Sequence, residues 1–240
     1  MKFQDVTKVA RKILKLKSCG AVIVAAGSAS RMGGIDKVMA PLKGEPMICH
    51  TVRTFQSCDA VKEIVIVTRE DLIVPISDLC RQFPKVKAVV VGGKNRTESV
   101  SMGLAALSDK VKLAAIHDGA RPLVSWQLID LVVRMAHNYG AAAPAVPVKD
   151  TIKVVEGGLA KETPDRSKLR AVQTPQVFDF DLIRGALKKA KLDGAELTDD
   201  CSAVERMNMT VRIIEGEETN IKVTTPMDLK LAELLMEERK

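Results

Sequence analysis

Two cations, Arg31 and Lys37, follow a run of small residues, Ala25-Ala26-Gly27-Ser28-Ala29-Ser30, which itself follows the apolar stretch Ala21–Ala25. Small side chains let a backbone pass close to a ligand and aim its N–H groups at it, and cations a few residues on add charge-assisted donors. That combination suits a polyphosphate. An ordinary strand-to-helix turn with surface cations would use the same residue types, so the loop gains meaning only with partners. Two are available. Gly92-Gly93-Lys94-Asn95-Arg96-Thr97-Glu98-Ser99 is a second glycine-rich stretch after an apolar run, and Asp118 closes a third run, Leu113–His117. A carboxylate at the end of a strand either caps the following turn or holds Mg²⁺ shared with phosphate oxygens.

Other chemistries are disfavoured. The P-loop requires Gly-x-x-x-x-Gly-Lys-Ser/Thr, and the Gly93-Lys94 pair is followed by Asn95. The dinucleotide fingerprint requires Gly-x-Gly-x-x-Gly, whereas Gly27 is followed at that spacing by Ala29 and Met32. His50 and His137 fall on predicted helices and His117 beside a predicted strand end, and none is assigned a chemical role. Five scattered cysteines without a Cys-x-x-Cys pair point to buried free thiols in a reducing cytoplasm rather than a metal centre or disulfide framework.

The elements that position these loops follow from apolar patterning. With 46% hydrophobic and 28% charged residues, the 240-residue chain reads as globular with a large core. No apolar run approaches the ~20 residues that span a bilayer. Residues 1–17 carry six cations against one acid, so only +2 of the net +7 belongs to the rest. Together with one Trp, one Tyr and five Phe for base stacking, this argues against a nucleic-acid partner. Residues 1–18 read as a basic extension whose Val6, Val9, Ala10, Ile13 and Leu14 have helical spacing. Residues 19–240 read as a single domain.

Continuous apolar runs at Ala21–Ala25, Ile64–Thr68, Val86–Val91 and Leu113–His117 alternate with helical patterns, which predicts a doubly wound α/β fold around a mostly parallel, Rossmann-like sheet. Pro46 opens a helix carrying Met47, Ile48, Thr51, Val52 and Phe55, and Pro75 interrupts a weak one. Ala141–Val148 is a further strand. The stretch of about 149–170, with Gly157-Gly158 as its turn, reads as an inserted β-hairpin, the kind of projection used for subunit pairing. A short strand precedes Gln173-Thr174-Pro175-Gln176, with a helix after it. Thr198-Asp199-Asp200 caps another helix, Val211–Ile214 and Ile221–Val223 complete the strands, and a closing helix from Thr225 aligns Met227, Leu231, Leu234 and Leu235 on one face.

From about Cys19 to Leu235 the order of motifs resembles the sugar-nucleotidyltransferase superfamily and, within it, the methylerythritol phosphate cytidylyltransferase family. The carriers are Ala25-Ala26-Gly27, Arg31 and Lys37 ahead of Ala40-Pro41-Leu42; Gly92-Gly93 with Arg96 and Ser99; and His117-Asp118-Gly119-Ala120-Arg121-Pro122. Pro147-Val148-Lys149-Asp150-Thr151, Gln173-Thr174-Pro175-Gln176, Thr198-Asp199 and Asn220-Ile221-Lys222-Val223-Thr224 follow in collinear order.

The resemblance implies transfer of CMP from CTP to methylerythritol 4-phosphate with Mg²⁺ or another divalent cation, in a homodimer joined through the hairpin arm. By resemblance, Ala25, Ala26, Gly27, Gly93 and Ser99 surround the cytidine. Arg31 and Lys37 bind the phosphates and Lys222 reaches the α-phosphate, all three acting mainly on the transition state, and Asp118 lies near the metal and the ribose or acceptor. Thr151 and Arg166, on the partner's arm, hold the acceptor together with Arg121, Thr174 and Thr198. The alternatives are a cytidylyltransferase for ribitol 5-phosphate or another sugar phosphate, and a CTP-binding regulatory module without turnover. The chain departs from the family at Ala29, where a second glycine is usual, and at Asp36 and Val38, which replace a proline and a polar residue beside Lys37. Lys94 stands where an acidic residue is common.

Overall fold

A computed structural model describes residues 16–27 and 36–238. Arg31, Ala29 and the amphipathic pattern of residues 1–15 lie outside the described residues. In chain order the strands are β1 (Cys19–Val24), β2 (Pro41–Leu42), β3 (Glu45–Pro46), β4 (Val61–Thr68), β5 (Val86–Val91), β6 (Leu113–Asp118), β7 (Ala141–Pro147), β8 (Val154–Glu156), β9 (Leu159–Glu162), β10 (Arg170–Val172), β11 (Gln176–Asp179) and β12 (Arg212–Glu215). The helices are α1 (Met47–Ser57), α2 (Ile73–Cys80), α3 (Arg96–Ala105), α4 (Trp126–Tyr139), α5 (Phe180–Leu192), α6 (Asp200–Glu205) and α7 (Pro226–Glu238).

The central sheet has the order β10-β7-β11-β6-β1-β4-β5, with β12 also paired to β7. β6, β1, β4 and β5 pair in parallel, and β12 pairs in parallel with β7. β11 is antiparallel to both β6 and β7, and β10 to β7. The expected mostly parallel α/β sheet is therefore present, with a mixed flank.

Alternate residues of the central strands go to opposite faces, as a period of two requires. Ala21, Ile23, Ile64, Ile66, Leu113 and Ala115 join one core with residues of α1, α2 and α4. Val22, Val65, Val67, Ala114 and Ile116 join a second with residues of α3, α5 and α6. Because both faces are covered, these strands carry no polar alternation.

Several elements differ from the sequence reading. Pro75 does not interrupt α2: it sits in the first turn, where its missing N–H has no helical acceptor to serve. Ile221–Val223 forms no strand; Val223 N–H donates to Ala120 O at 2.8 Å, and the segment joins no ladder. Gln176–Asp179, which the sequence reading joined to the approach to a helix, is β11, wedged between β6 and β7. Within the expected Thr198-Asp199-Asp200 cap it is Asp199 that closes the start of α6, accepting from Ser202 N. On α7, Leu229, Leu235 and Met236 pack onto a third, small cluster with Met47 and Val223, whereas Met227, Leu231 and Leu234 face outward.

The β8–β9 hairpin forms as expected. Its turn places Gly157 and Gly158 at φ of 56° and 79°, which other residues adopt at a cost. The arm is exposed throughout, apolar Val154, Val155 and Leu159 included. Its role in subunit pairing remains the sequence-based expectation.

Candidate active site

The site lies at the carboxyl ends of β1, β5 and β6, where parallel α/β sheets leave a crevice. Val24 pairs with Asp118 in register, and the ladder runs on through Ala25 N–H to Val67 O at 2.7 Å and Gly119 N–H to Val24 O at 2.8 Å. The loop after β1 and the Asp118 carboxylate are thereby fixed side by side. The second glycine loop closes against the first. A Cβ on Gly92 would stand 2.7 Å from the Ala26 Cβ, and one on Gly93 would stand 2.2 Å from the Glu98 Cβ, so both positions require glycine for close approach. Gly93 N–H donates to Ser99 Oγ at 3.1 Å, and that hydroxyl donates to Asn95 O at 2.9 Å. Asn95 in turn caps α3 by accepting from Glu98 N at 2.9 Å.

Together these loops enclose a cleft of about 310 Å³ lined by Ala25, Ala26, Gly27, Lys37, Gly93, Lys94, Arg96, Ser99, Asp118 and Lys222 among others. Lys37, Lys94, Arg96 and Lys222 face it against one carboxylate, Asp118. Its electrostatics suit a polyanion.

Asp118 is the hub. Lys222 Nζ lies 2.8 Å from its Oδ2, Arg121 Nε 3.6 Å from the same oxygen and Arg96 Nε 3.7 Å from Oδ1. Burial by itself would raise the Asp118 pKa, but Lys222, Arg96 and Arg121 outweigh it and hold the carboxyl at about 2. Arg96 is shared with the buried Asp200 at the start of α6, at 2.7 Å. Arg121 donates to Asn220 O at 2.7 Å, which ties it to the segment carrying Lys222.

A buried chain supports the hub from beneath. Asp118 N–H donates to Thr174 Oγ1 at 3.1 Å, Thr174 Oγ1 meets His117 Nδ1 at 2.9 Å, and His117 Nε2 meets Arg121 O at 3.2 Å. One assignment satisfies every group: Thr174 donates to Nδ1 and Nε2–H donates to the carbonyl. Burial pushes the His117 pKa down to about 4, so the ring is neutral near pH 7. Asn220 Nδ2 donates to Thr174 O at 2.9 Å, which anchors the turn of Thr174 and Pro175.

Of the residues singled out from sequence, Ala25, Ala26, Gly27, Lys37, Gly93, Ser99, Asp118 and Lys222 meet at the cleft. Arg121 stands behind Asp118, and Thr174 is buried with its hydroxyl engaged beneath it. Thr198 is exposed on the approach to α6. Thr151 and Arg166 are exposed beside the hairpin, outside the lining of the cleft, and Arg166 donates to Lys149 O at 2.7 Å. Arg96 and its partner Asp200 were not assigned roles from sequence. An arginine at the first position of a helix after a Gly-Gly loop was the available signal for the former; the pairing across the chain left none.

The sequence pattern of the 2-C-methyl-D-erythritol 4-phosphate cytidylyltransferase family matches residues 19–238. The 2-C-methyl-D-erythritol 4-phosphate cytidylyltransferase of Symbiobacterium thermophilum is 45% identical over 219 residues, covering 90% of this chain and 92% of that protein. The enzyme of the same name from Bacillus velezensis is 47% identical over 219 residues, covering 90% and 94%. Among solved structures, 4-diphosphocytidyl-2C-methyl-D-erythritol synthase from Anaerococcus prevotii superposes with a TM-score of 0.83 at 29% identity, covering 92% of this chain and 96% of that one.

Proposed function

The chain belongs to the 2-C-methyl-D-erythritol 4-phosphate cytidylyltransferase family, and on that basis we propose that it transfers the cytidylyl group of CTP to 2-C-methyl-D-erythritol 4-phosphate. The products are 4-diphosphocytidyl-2-C-methyl-D-erythritol and pyrophosphate, a step of non-mevalonate isoprenoid precursor synthesis. The observation that carries the reading is the cleft at the strand ends, lined by four cations and one ionised carboxylate.

The chemistry needs little more. An oxygen of the acceptor phosphate forms a bond to the α-phosphorus of CTP, and the bond from that phosphorus to the bridging oxygen of the β-phosphate breaks. The nucleophile is already anionic near neutral pH, so no protein base is required; neutral, buried His117 is not placed to be one. The obstacles are repulsion between two anions and charge growing on the leaving pyrophosphate. Lys37 and Arg31 bind the triphosphate, Lys222 sits by the α-phosphate, and Arg96 and Arg121 hold Asp118 in place. The small-residue loops supply backbone contacts to cytidine.

Asp118 is the one carboxylate among the described residues lining the cleft, and no group of three or more His, Cys, Asp or Glu is arranged to hold a metal among them. Asp118 would hold a Mg²⁺ ion on this donor set, which is not an all-protein cage, and the ion would supply charge that neutralises the triphosphate. Thr151, Arg166 and Thr198 form the acceptor side in this reading, the first two supplied by the hairpin arm of a second copy, while Arg121 and Thr174 support it from behind and beneath Asp118. The exposed apolar residues Val154, Val155 and Leu159 suit burial in such a homodimer. Five buried free thiols suit a reducing cytoplasm, and among the described residues no helix is long and apolar enough to cross a membrane.

The test is Mg²⁺-dependent pyrophosphate release from CTP, ATP, GTP and UTP with a panel of acceptors. Release with CTP and methylerythritol 4-phosphate alone is expected. Preference for ribitol 5-phosphate would replace the acceptor and keep the mechanism. CTP binding without release from any pair would leave a regulatory module.

A further inference from the structure

Asp36 is an unexpected neighbour for a phosphate-binding lysine, because a carboxylate beside Lys37 repels the same anion that the lysine attracts. We propose that Arg69 is a positioning residue that cancels this charge beside Lys37; the inference rests on Lys37 binding the nucleotide, as argued above.

Arg69 directly follows β4, the strand beside β1, so it is attached to the rigid rim of the sheet. Its guanidinium is oriented by Asp71, with Nε 3.1 Å from Oδ1 and Nη2 2.9 Å from Oδ2. That two-point grip directs the remaining nitrogen, Nη1, onto Asp36 Oδ2. The other Asp36 oxygen accepts from Val38 N–H at 3.0 Å, and Met39 N–H donates to Asp36 O at 3.1 Å. Ile48 N–H to Val38 O at 2.9 Å and Met47 N–H to Ala40 O at 3.0 Å fasten the far side of the turn to the start of α1.

Lys37 is thus carried on a turn tied at one end to the sheet through Arg69 and at the other to α1. The Asp36 side chain is only 9% exposed, so water does little to screen it and a fixed cation has to. Asp71 is 64% exposed and screened by solvent, so its added negative charge acts weakly on the cleft. Arg69 is not among the residues lining the cleft, which makes its action indirect.

Three variants test this through the KM for CTP and kcat: Arg69→Ala, the double variant Arg69→Ala/Asp36→Asn, and Lys37→Ala as reference. Arg69→Ala is expected to raise the KM for CTP by about tenfold, on the scale of one uncompensated, poorly screened charge, with a smaller effect on kcat. Adding Asp36→Asn removes the uncompensated charge and brings the KM back to within about twofold of wild type. A merely structural role for Arg69 would not be rescued in this way. An unchanged KM in Arg69→Ala, or a raised KM that Asp36→Asn does not restore, overturns the proposal. If Lys37→Ala is as active as wild type, the reading of the phosphate clamp fails and this inference with it. If Lys37→Ala is impaired but Arg69→Ala is not, the inference alone fails.

Discussion

Lys222 Nζ rests 2.8 Å from Asp118 Oδ2, an ion pair that closes one wall of the cleft and joins the segment after Asn220 to the end of β6. The pair does more than hold two elements together. Asp118 keeps a flexible lysine aimed into the space between the two glycine loops before substrate arrives, which lowers the reorganisation needed during reaction.

Lys222→Ala should lower kcat far more than it raises the KM for CTP, by about 10²–10³-fold, the usual loss for one preorganised charge at a transition state. Steady-state kinetics in CTP separates the two parameters. A change confined to KM would assign Lys222 to binding alone.

The buried His117 makes stability depend on pH with a definite sign. Its pKa falls from 6.5 in the unfolded chain to about 4 in the fold, so below 6.5 the unfolded state binds the extra proton. Stability should drop as the pH is lowered from about 6.5 towards 4, by on the order of 3 kcal/mol. Below that range Asp118 takes over: its depressed pKa stabilises the fold above about 4 and that contribution is lost as pH falls through about 2. Urea denaturation of wild type and His117→Asn at pH 7 and 4.5 checks the first part, with a smaller difference expected in the variant.

Thr174 links the His117 ring to the backbone of Asp118. Thr174→Val keeps the shape and leaves two buried polar groups without a partner, which should cost about 1–3 kcal/mol of stability. It should also lower kcat, because the Asp118 backbone loses its support. Thermal unfolding and kinetics measured together would show both changes.

The arm can be examined by complementation. Lys222→Ala and Arg166→Ala should each be nearly inactive. If Arg166 serves the cleft of the other copy, mixed dimers regain one complete site each, and random mixing should restore about a quarter of wild-type activity. An equimolar mixture no better than either variant would return Arg166 to its own cleft.

Much of this arrangement was readable from residue order. Continuous apolar runs marked β1, β4 and β6 because those strands are covered on both faces, the valines of β5 marked a partly covered edge strand, and the glycines, Asp118 and Lys222 stood at their ends or in a recognisable order. What local pattern did not reveal depends on distant pairing. Gln176–Asp179 becomes a strand because a gap between β6 and β7 accepts it. Ile221–Val223 looks like a strand and is not, since Ala120 offers it one hydrogen bond and no ladder. The apolar stripe of α7 is split, because Leu229, Ala232 and Met236 form the docking face instead. Arg96 finds Asp200 far along the chain, and Arg69 finds Asp36; neither pairing has a signature in spacing.

The most direct measurement is a rapid-quench experiment with CTP labelled in its α-phosphate, first without acceptor and then with methylerythritol 4-phosphate. Direct attack by the acceptor phosphate predicts no pyrophosphate and no label on the protein in the first stage, then label in diphosphocytidyl methylerythritol with an equal amount of pyrophosphate. A burst of pyrophosphate matching the enzyme concentration without acceptor, with the cytidylyl group attached to the protein, would contradict it.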